Sequence, residues 1–193
     1  VKKTTGSIAA VLMLAAGMIC TAKTVAAPGT HRSVVEITVP RVTLVRYDGK
    51  NVSLPDELND GRPVVMNFIF TTCTTICPLL SETLARLQNE LGTRRNQVHM
   101  VSISIDPEED TAPRLAAYAR QYHAGPEWQF YTGTIQAITA TARAFSVYRG
   151  DKMSHTPVTL LRVAPGKPWI RFDGFATADD LLKEISGTGT ATP

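Results

Sequence analysis

The sequence predicts an α/β domain in three layers, a central mixed sheet flanked by helices. Three observations carry this reading. Val64–Phe70 (VVMNFIF) is an unbroken apolar run rich in β-branched and aromatic residues, as expected of a strand buried on both faces. Leu79, Leu80, Leu84, Leu87 and Leu91 follow it at mostly helical spacing. The pattern then repeats: His99–Ile105 (HMVSISI) is a second strong strand, and Leu115, Tyr118, Ala119 and Tyr122 mark the inner face of a second helix. Last, Val158–Val163 and Trp169–Phe172 flank the turn signal Pro165-Gly166 and read as a hairpin. A strand–helix–strand crossover implies that the Val64 and His99 strands pair in parallel.

In chain order, Lys2 and Lys3 precede an apolar run from Ile8 to Cys20, and Val25-Ala26-Ala27 supplies small residues suited to cleavage. Residues 1–27 therefore read as a secretory signal peptide, the run being shorter than the ~20 residues that span a bilayer. Left uncleaved, residues 8–20 would act as a membrane anchor. Residues 28–40 form a polar lead-in with strand character near Val34–Val39. Val42–Tyr47 and Asn51–Leu54, joined by Asp48-Gly49, predict an N-terminal β-hairpin. Asp56–Pro63 is a loop. Pro78 is suited to the first turn of the Leu-rich helix, which stops at Gly92.

Asp106-Pro107 ends the second strand, and Asp110 or Thr111 caps a helix with Pro113 in its first turn. Phe130-Tyr131 is a short strand, and Thr134–Phe145 is helical with Ile135, Ile138 and Ala142 aligned. The Arg149–Ser154 loop leads to the closing hairpin. Thr177 caps a last helix whose Leu181, Leu182 and Ile185 face inward, and residues 187–193, rich in Gly and Thr, read as a disordered tail. This order is that of a thioredoxin-like domain over residues 41–186, with the hairpin as an addition at its front.

The formal charge of +3 belongs to the leader: residues 1–27 carry Lys2, Lys3 and Lys23 and no acid, so the remainder balances 17 acidic residues with 17 basic ones. No basic field is left to attract nucleic acid. Of the three cysteines, Cys20 leaves with the leader, and the exported domain keeps Cys73 and Cys77. In an oxidising compartment such a pair is a short disulfide or a reactive or metal-binding pair. As a staple it closes too short a loop to matter much.

Cys73 and Cys77 sit between a buried strand and a helix start, where partial positive charge favours thiolate. Any third group must come from elsewhere. His31 lies in the lead-in, His99 at the start of a strand with the character of an edge residue, and His123 at a helix end. None of these needs a functional explanation. His155 precedes Thr156-Pro157 and the Val158 strand. A lone loop histidine is ordinarily solvated surface. In a thioredoxin-like fold, however, this loop packs against the cysteine turn, and its X-Pro bond is often cis. Two thiolates and an imidazole form a soft, low-coordinate set suited to Cu(I) and able to hold Cu(II). A structural zinc site wants a fourth ligand, which the chain lacks. Asp106 and Met153 are further donors on paper, better read as a turn residue and a packing residue.

The Phe68–Pro78 segment (FIFTTCTTICP), Val101–Thr111 (VSISIDPEEDT), Trp128–Gly133 (WQFYTG) and the late His155 together resemble the SCO/SenC family. These are exported thioredoxin-like copper-binding proteins that assist assembly of the copper site of respiratory cytochrome oxidases. The resemblance spans residues 60–185. It implies that Cys73, Cys77 and His155 are copper ligands, that the partner is a copper-acceptor protein such as an oxidase subunit, and that the protein is periplasmic. Two positions depart from the family: Thr74 stands where many members have Pro, and Ser154 where many have Asp. The competing reading is a thiol–disulfide oxidoreductase that keeps acceptor cysteines reduced, with Cys73 as nucleophile and Cys77 resolving. Its Cys-x-x-x-Cys spacer is one residue longer than the thioredoxin motif, and it has no use for His155. A peroxidase of the peroxiredoxin type lacks the required Pro and Thr before either cysteine. An inert disulfide in a structural module leaves His155 unexplained.

Overall fold

A computed structural model describes residues 29–187. The expectations for the leader, for Cys20 and for the end of the tail lie outside the described residues. β1 (His31–Val35) is followed by the hairpin strands β2 (Thr43–Arg46) and β3 (Asn51–Ser53), a short helix α1 (Leu54–Glu57), β4 (Val64–Ile69) and α2 (Ile76–Leu91). Then come β5 (His99–Ser104), α3 (Ala112–Gln121), β6 (Trp128–Thr132), α4 (Ile135–Ala144), β7 (Val158–Arg162), β8 (Trp169–Asp173) and α5 (Ala178–Ile185). One eight-stranded sheet runs in the order β1-β8-β7-β4-β5-β6-β2-β3. β5 lies parallel to both β4 and β6, and the remaining pairings are antiparallel.

The fold is thus the mixed, helix-flanked, thioredoxin-like sheet expected, with the hairpin at its front. Because successive strand residues face opposite ways, β4 serves two cores. Val65 and Ile69 pack with Leu84 and Leu87 of α2, Leu115 and Tyr118 of α3, and Leu181 of α5. Val64, Met66 and Phe68 pack on the other face with Ile138 and Ala142 of α4. All six residues of β4 are buried, which explains their unbroken apolar character apart from Asn67. Asn67 accepts a hydrogen bond from Ser102 Oγ at 2.7 Å, and Ser102 Oγ in turn accepts one from Trp128 Nε1 at 2.9 Å.

Several local expectations need correction. The lead-in strand lies earlier than Val34–Val39, because His31–Val35 finds a pairing edge on β8. His99 is 2% exposed in the middle of the sheet, because β6, β2 and β3 extend the sheet beyond β5. The loop before β4 begins as a helical turn, α1. No peptide bond among the described residues is cis, so Thr156–Pro157 has the trans geometry that an X-Pro bond intrinsically favours. α2 starts at Ile76, which keeps Pro78 in its first turn and places Cys77 inside that turn as well.

Candidate metal centre

Sheet direction brings the site together. β4 and β5 run parallel, so both deliver their C-terminal ends to one edge, and Ile105 N–H donates to the Ile69 carbonyl just beyond the strands. β7 is antiparallel to β4, with Asn67 opposite Thr159, so the start of β7 lies at that same edge. The cysteine turn, the Asp106–Thr111 segment and the His155 loop therefore meet although they lie far apart in sequence.

The turn between β4 and α2 is held from below by Asp110. This fully buried carboxylate accepts from Thr71 N–H (3.0 Å), Thr71 Oγ1 (2.5 Å) and Ser104 Oγ (2.6 Å). Asp110 therefore caps the cysteine turn. The N-cap of α3 is Thr111, whose side chain makes no capping bond. Anchored in this way, the turn carries Cys73 back over the start of α2, where Cys77 N–H donates to Cys73 Sγ at 3.4 Å. The N-cap residue of α2, Thr75, makes no capping bond of its own, so the Cys73 sulfur takes that role.

The two free thiols differ sharply. Burial alone would raise the Cys73 pKa, but hydrogen bonds from the Cys77 side chain and backbone and from Thr75 outweigh it and bring the pKa below the ordinary thiol value. Cys77 is fully buried, and that desolvation, together with its hydrogen bond to Cys73, pushes its thiol well up. Cys73 is half-buried and lines a cleft of about 120 Å³ with Phe70, Ile76, Lys152, Met153 and His155 among its walls.

His155 is 8% exposed. Its Nε2 lies 3.0 Å from the Phe68 carbonyl oxygen. A carbonyl can only accept, so Nε2 carries the proton and the lone pair belongs to Nδ1. Nδ1 is buried and has no hydrogen-bond partner. Burial, with a smaller contribution from Arg149, lowers the His155 pKa and keeps the ring neutral. A neutral imidazole with one nitrogen fixed by a carbonyl and the other bare is the form in which histidine binds metals.

Cys73 and His155 thus share one cleft with Cys77 directly beneath, but the donors are not gathered into a ready cage. Among the described residues, no group of three or more His, Cys, Asp and Glu side chains stands close enough to hold a metal ion. The loop carrying His155 is tied to the end of β5 by Lys152, whose Nζ lies 2.5 Å from Asp106 Oδ2 and 5.9 Å from the centre of the Phe70 ring. Asp106, read from sequence as a turn residue, keeps that role by accepting Asp110 N–H through its carbonyl, and it also holds this ion pair. Lys152 carries no signal in the sequence, because nothing local marks a lysine whose partner is 46 residues away. Met153 overturns its packing reading: it is 74% exposed. Thr74 and Ser154, the two departures, are both exposed, with Thr74 on the cleft wall. His31 pairs along β1 opposite Asp173, and His123 lies just past α3, so neither joins the site.

Comparison with known proteins gives the same direction. The family model SCO1/SenC matches residues 33–188. The SCO1 protein homolog of Bacillus subtilis is 34% identical over 158 residues, covering 77% of this chain and 81% of that protein. The chain spans less of some longer relatives, covering 46% of the mitochondrial SCO1 homolog 1 of Arabidopsis thaliana at 27% identity over 159 residues and 74% of this chain. Among solved structures, BsSco, reported with a disulfide switch and as a member of the Sco family of cytochrome c oxidase assembly proteins, is 28% identical with TM-score 0.67, covering 83% of this chain and 98% of that one. Arabidopsis thaliana ScoI, solved with copper bound, is 28% identical with TM-score 0.62, covering 78% of this chain and 94% of that one. A match over most of the folded domain, on the sheet and cysteine turn described above, makes this chain a member of the SCO1/SenC family.

Proposed function

We propose that this chain is an exported copper-binding protein that hands copper to an acceptor during assembly of a respiratory oxidase copper site, with Cys73, Cys77 and His155 as ligands. The observation that carries the reading is the bare, buried Nδ1 of a neutral His155 on the cleft that also holds Cys73, with Cys77 below it. Copper here is cargo. Two thiolates favour Cu(I), and an added imidazole extends the set to Cu(II). Each thiol gives up a proton as the ion binds, so loading is favoured by rising pH. An open, three-donor site leaves a coordination position through which an acceptor ligand can enter before a protein ligand leaves. Copper bound to Arabidopsis ScoI and the oxidase-assembly role of the Sco family support the assignment. The signal-like residues 1–27 support export to the periplasm.

His155→Ala, titrated with Cu(I) and Cu(II) and followed by absorption and EPR, tests it. The variant is expected to lose the Cu(II) spectrum and weaken copper binding, and unchanged stoichiometry, affinity and spectrum would remove His155 from the site.

A second reading is supported by the asymmetry of the thiols. An accessible Cys73 with a lowered pKa above a buried Cys77 is the arrangement of an attacking and a resolving thiol, and BsSco is described with a disulfide switch. A thiol–disulfide oxidoreductase acting on acceptor cysteines would keep its exchange activity in metal-free buffer with His155 replaced. A copper carrier would show little.

A further inference from the structure

The open sheet ends in two edge strands, and they differ. β3 is three residues long and runs straight into α1, so it offers little to a neighbouring strand. β1 pairs only with β8, which leaves its outer row of backbone N–H and C=O groups unpaired. Arg32, Val34 and Glu36, the last just past the strand, are exposed at alternate positions, while Val35 and Ile37 pack on the core. We propose that β1 binds β1 of a second copy of this chain, antiparallel, about a two-fold axis at Val34.

Three features support it. Antiparallel pairing centred on Val34 sets Arg32 against Glu36 of the second copy, and Glu36 against its Arg32, on one face of the sheet. Both contacts are attractive, whereas charges on an edge strand ordinarily repel a neighbour. Centring one residue earlier or later sets Arg32 or Glu36 against Val34 instead, so the charges select one register. Both charged groups are also available. Glu36 has no ion-pair partner among the described residues. Arg32 gives Nε and Nη2 to Glu184 of α5, at 2.6 and 3.1 Å, which fixes the guanidinium and leaves Nη1 free. Finally, Val34 is 56% exposed and is the only large apolar side chain on a strand to stand in the open among the described residues. At the axis it meets its own copy, and two β-branched side chains pack well across a strand pair. His31 and Val158 both stand opposite Asp173, so β1 begins at the end of the sheet that carries the metal cleft. A two-fold axis normal to the sheet puts the two clefts at opposite ends of the joined sheet, where both stay open. The contact is short, so the dimer is weak and reversible, and copper takes no part in it.

The test is sedimentation velocity of the copper-free, reduced full chain in a non-ionic detergent, over a range of concentrations. The sedimentation coefficient is expected to rise with concentration. That rise should be lost in Val34→Lys, in Arg32→Glu and in Glu36→Lys, each of which sets like charges together across the axis. An equimolar mixture of Arg32→Glu with Glu36→Lys should recover it, because both contacts are attractive again in the mixed pair. Circular dichroism melts show whether each variant alone is folded. Val34→Lys, at an exposed position, keeps the test decisive should loss of the Glu184 tie unfold Arg32→Glu. A coefficient independent of concentration in the unaltered chain would overturn the pairing. So would a rise that survives all three substitutions, a mixture of folded variants that stays dissociated, or association that appears only on adding copper.

Discussion

Cys73 and Cys77 are four residues apart and live in different media. Cys73 faces a cleft and accepts a helix N–H, while Cys77 is sealed under the first turn of α2. The consequence is a measurable difference in reactivity. In the copper-free, reduced protein, iodoacetamide should modify Cys73 first, with a pH–rate inflection below that of an ordinary cysteine, because the thiolate form is favoured there. Cys77 should stay unmodified until the domain unfolds, as mass spectrometry of the digested protein would show. Equal labelling of both residues in the native state would contradict the burial of Cys77. His155 shows the same dependence on surroundings. The tautomer that leaves Nδ1 free follows from one carbonyl, that of Phe68.

At the scale of elements, two connections set the geometry of the site. In a fully buried position, Asp110 joins the start of α3 to the turn after β4 by accepting from Thr71 N–H and Oγ1, and to the end of β5 by accepting from Ser104 Oγ. Asp110→Asn keeps the shape but sets an amide N–H₂ among donors, leaving at least one of them unpaired. It should destabilise the domain by on the order of 2 kcal/mol and loosen the cysteine turn. Urea unfolding gives the first quantity, and faster alkylation of Cys77 in the native state reports the second. The other connection is Lys152 to Asp106, which ties the His155 loop to the end of β5. Lys152→Ala should raise protease sensitivity between Arg149 and Thr156 and change the Cu(II) EPR line shape, while the unfolding midpoint moves little. The reason is that the lysine is partly exposed to solvent, which screens the pair, so that it acts on position more than on stability. An unaltered Cu(II) spectrum would show that the latch plays no part in placing His155.

For the whole molecule, the two buried histidines make stability depend on pH. His99 lies between Asp60 and Tyr131 in the sheet, with Nδ1 3.2 Å from Asp60 Oδ2, and His155 lies at the cleft. Burial is the largest influence on each and lowers both pKa values below the ordinary 6.5. A histidine whose folded pKa is depressed takes up its proton first in the unfolded chain. Its stabilising effect is therefore complete above the unfolded value and declines as pH falls from about 6.5 toward the folded values. Chemical unfolding of the copper-free protein at pH 7.5 and 5.5 should show lower stability at the acid end, and His155→Gln should flatten part of that slope. A pH-independent midpoint across this interval would contradict the burial of both rings. On the proposed assignment copper binds the folded chain in preference to the unfolded one, so Cu(I) should raise the melting temperature in proportion to the logarithm of free ion, which calorimetry at several buffered copper levels would check.

The order of elements, the buried β4 and β5, the inner faces of α2 and α3 and the closing hairpin are all legible in residue order. Strand and helix patterns are local, and a run such as VVMNFIF admits few other readings. The cysteine pair and its place before a helix are legible for the same reason, and the late histidine stands out once the fold is known. What the chain alone could not tell is which groups each of these side chains would meet. Antiparallel pairing of β7 with β4 brings His155 to the cleft and its Nε2 to the Phe68 carbonyl. The same packing aims Asp110 at Thr71, ties Lys152 to Asp106 and leaves Met153 in the open. Those contacts join residues 39 to 87 positions apart, and only the closure of the sheet decides them.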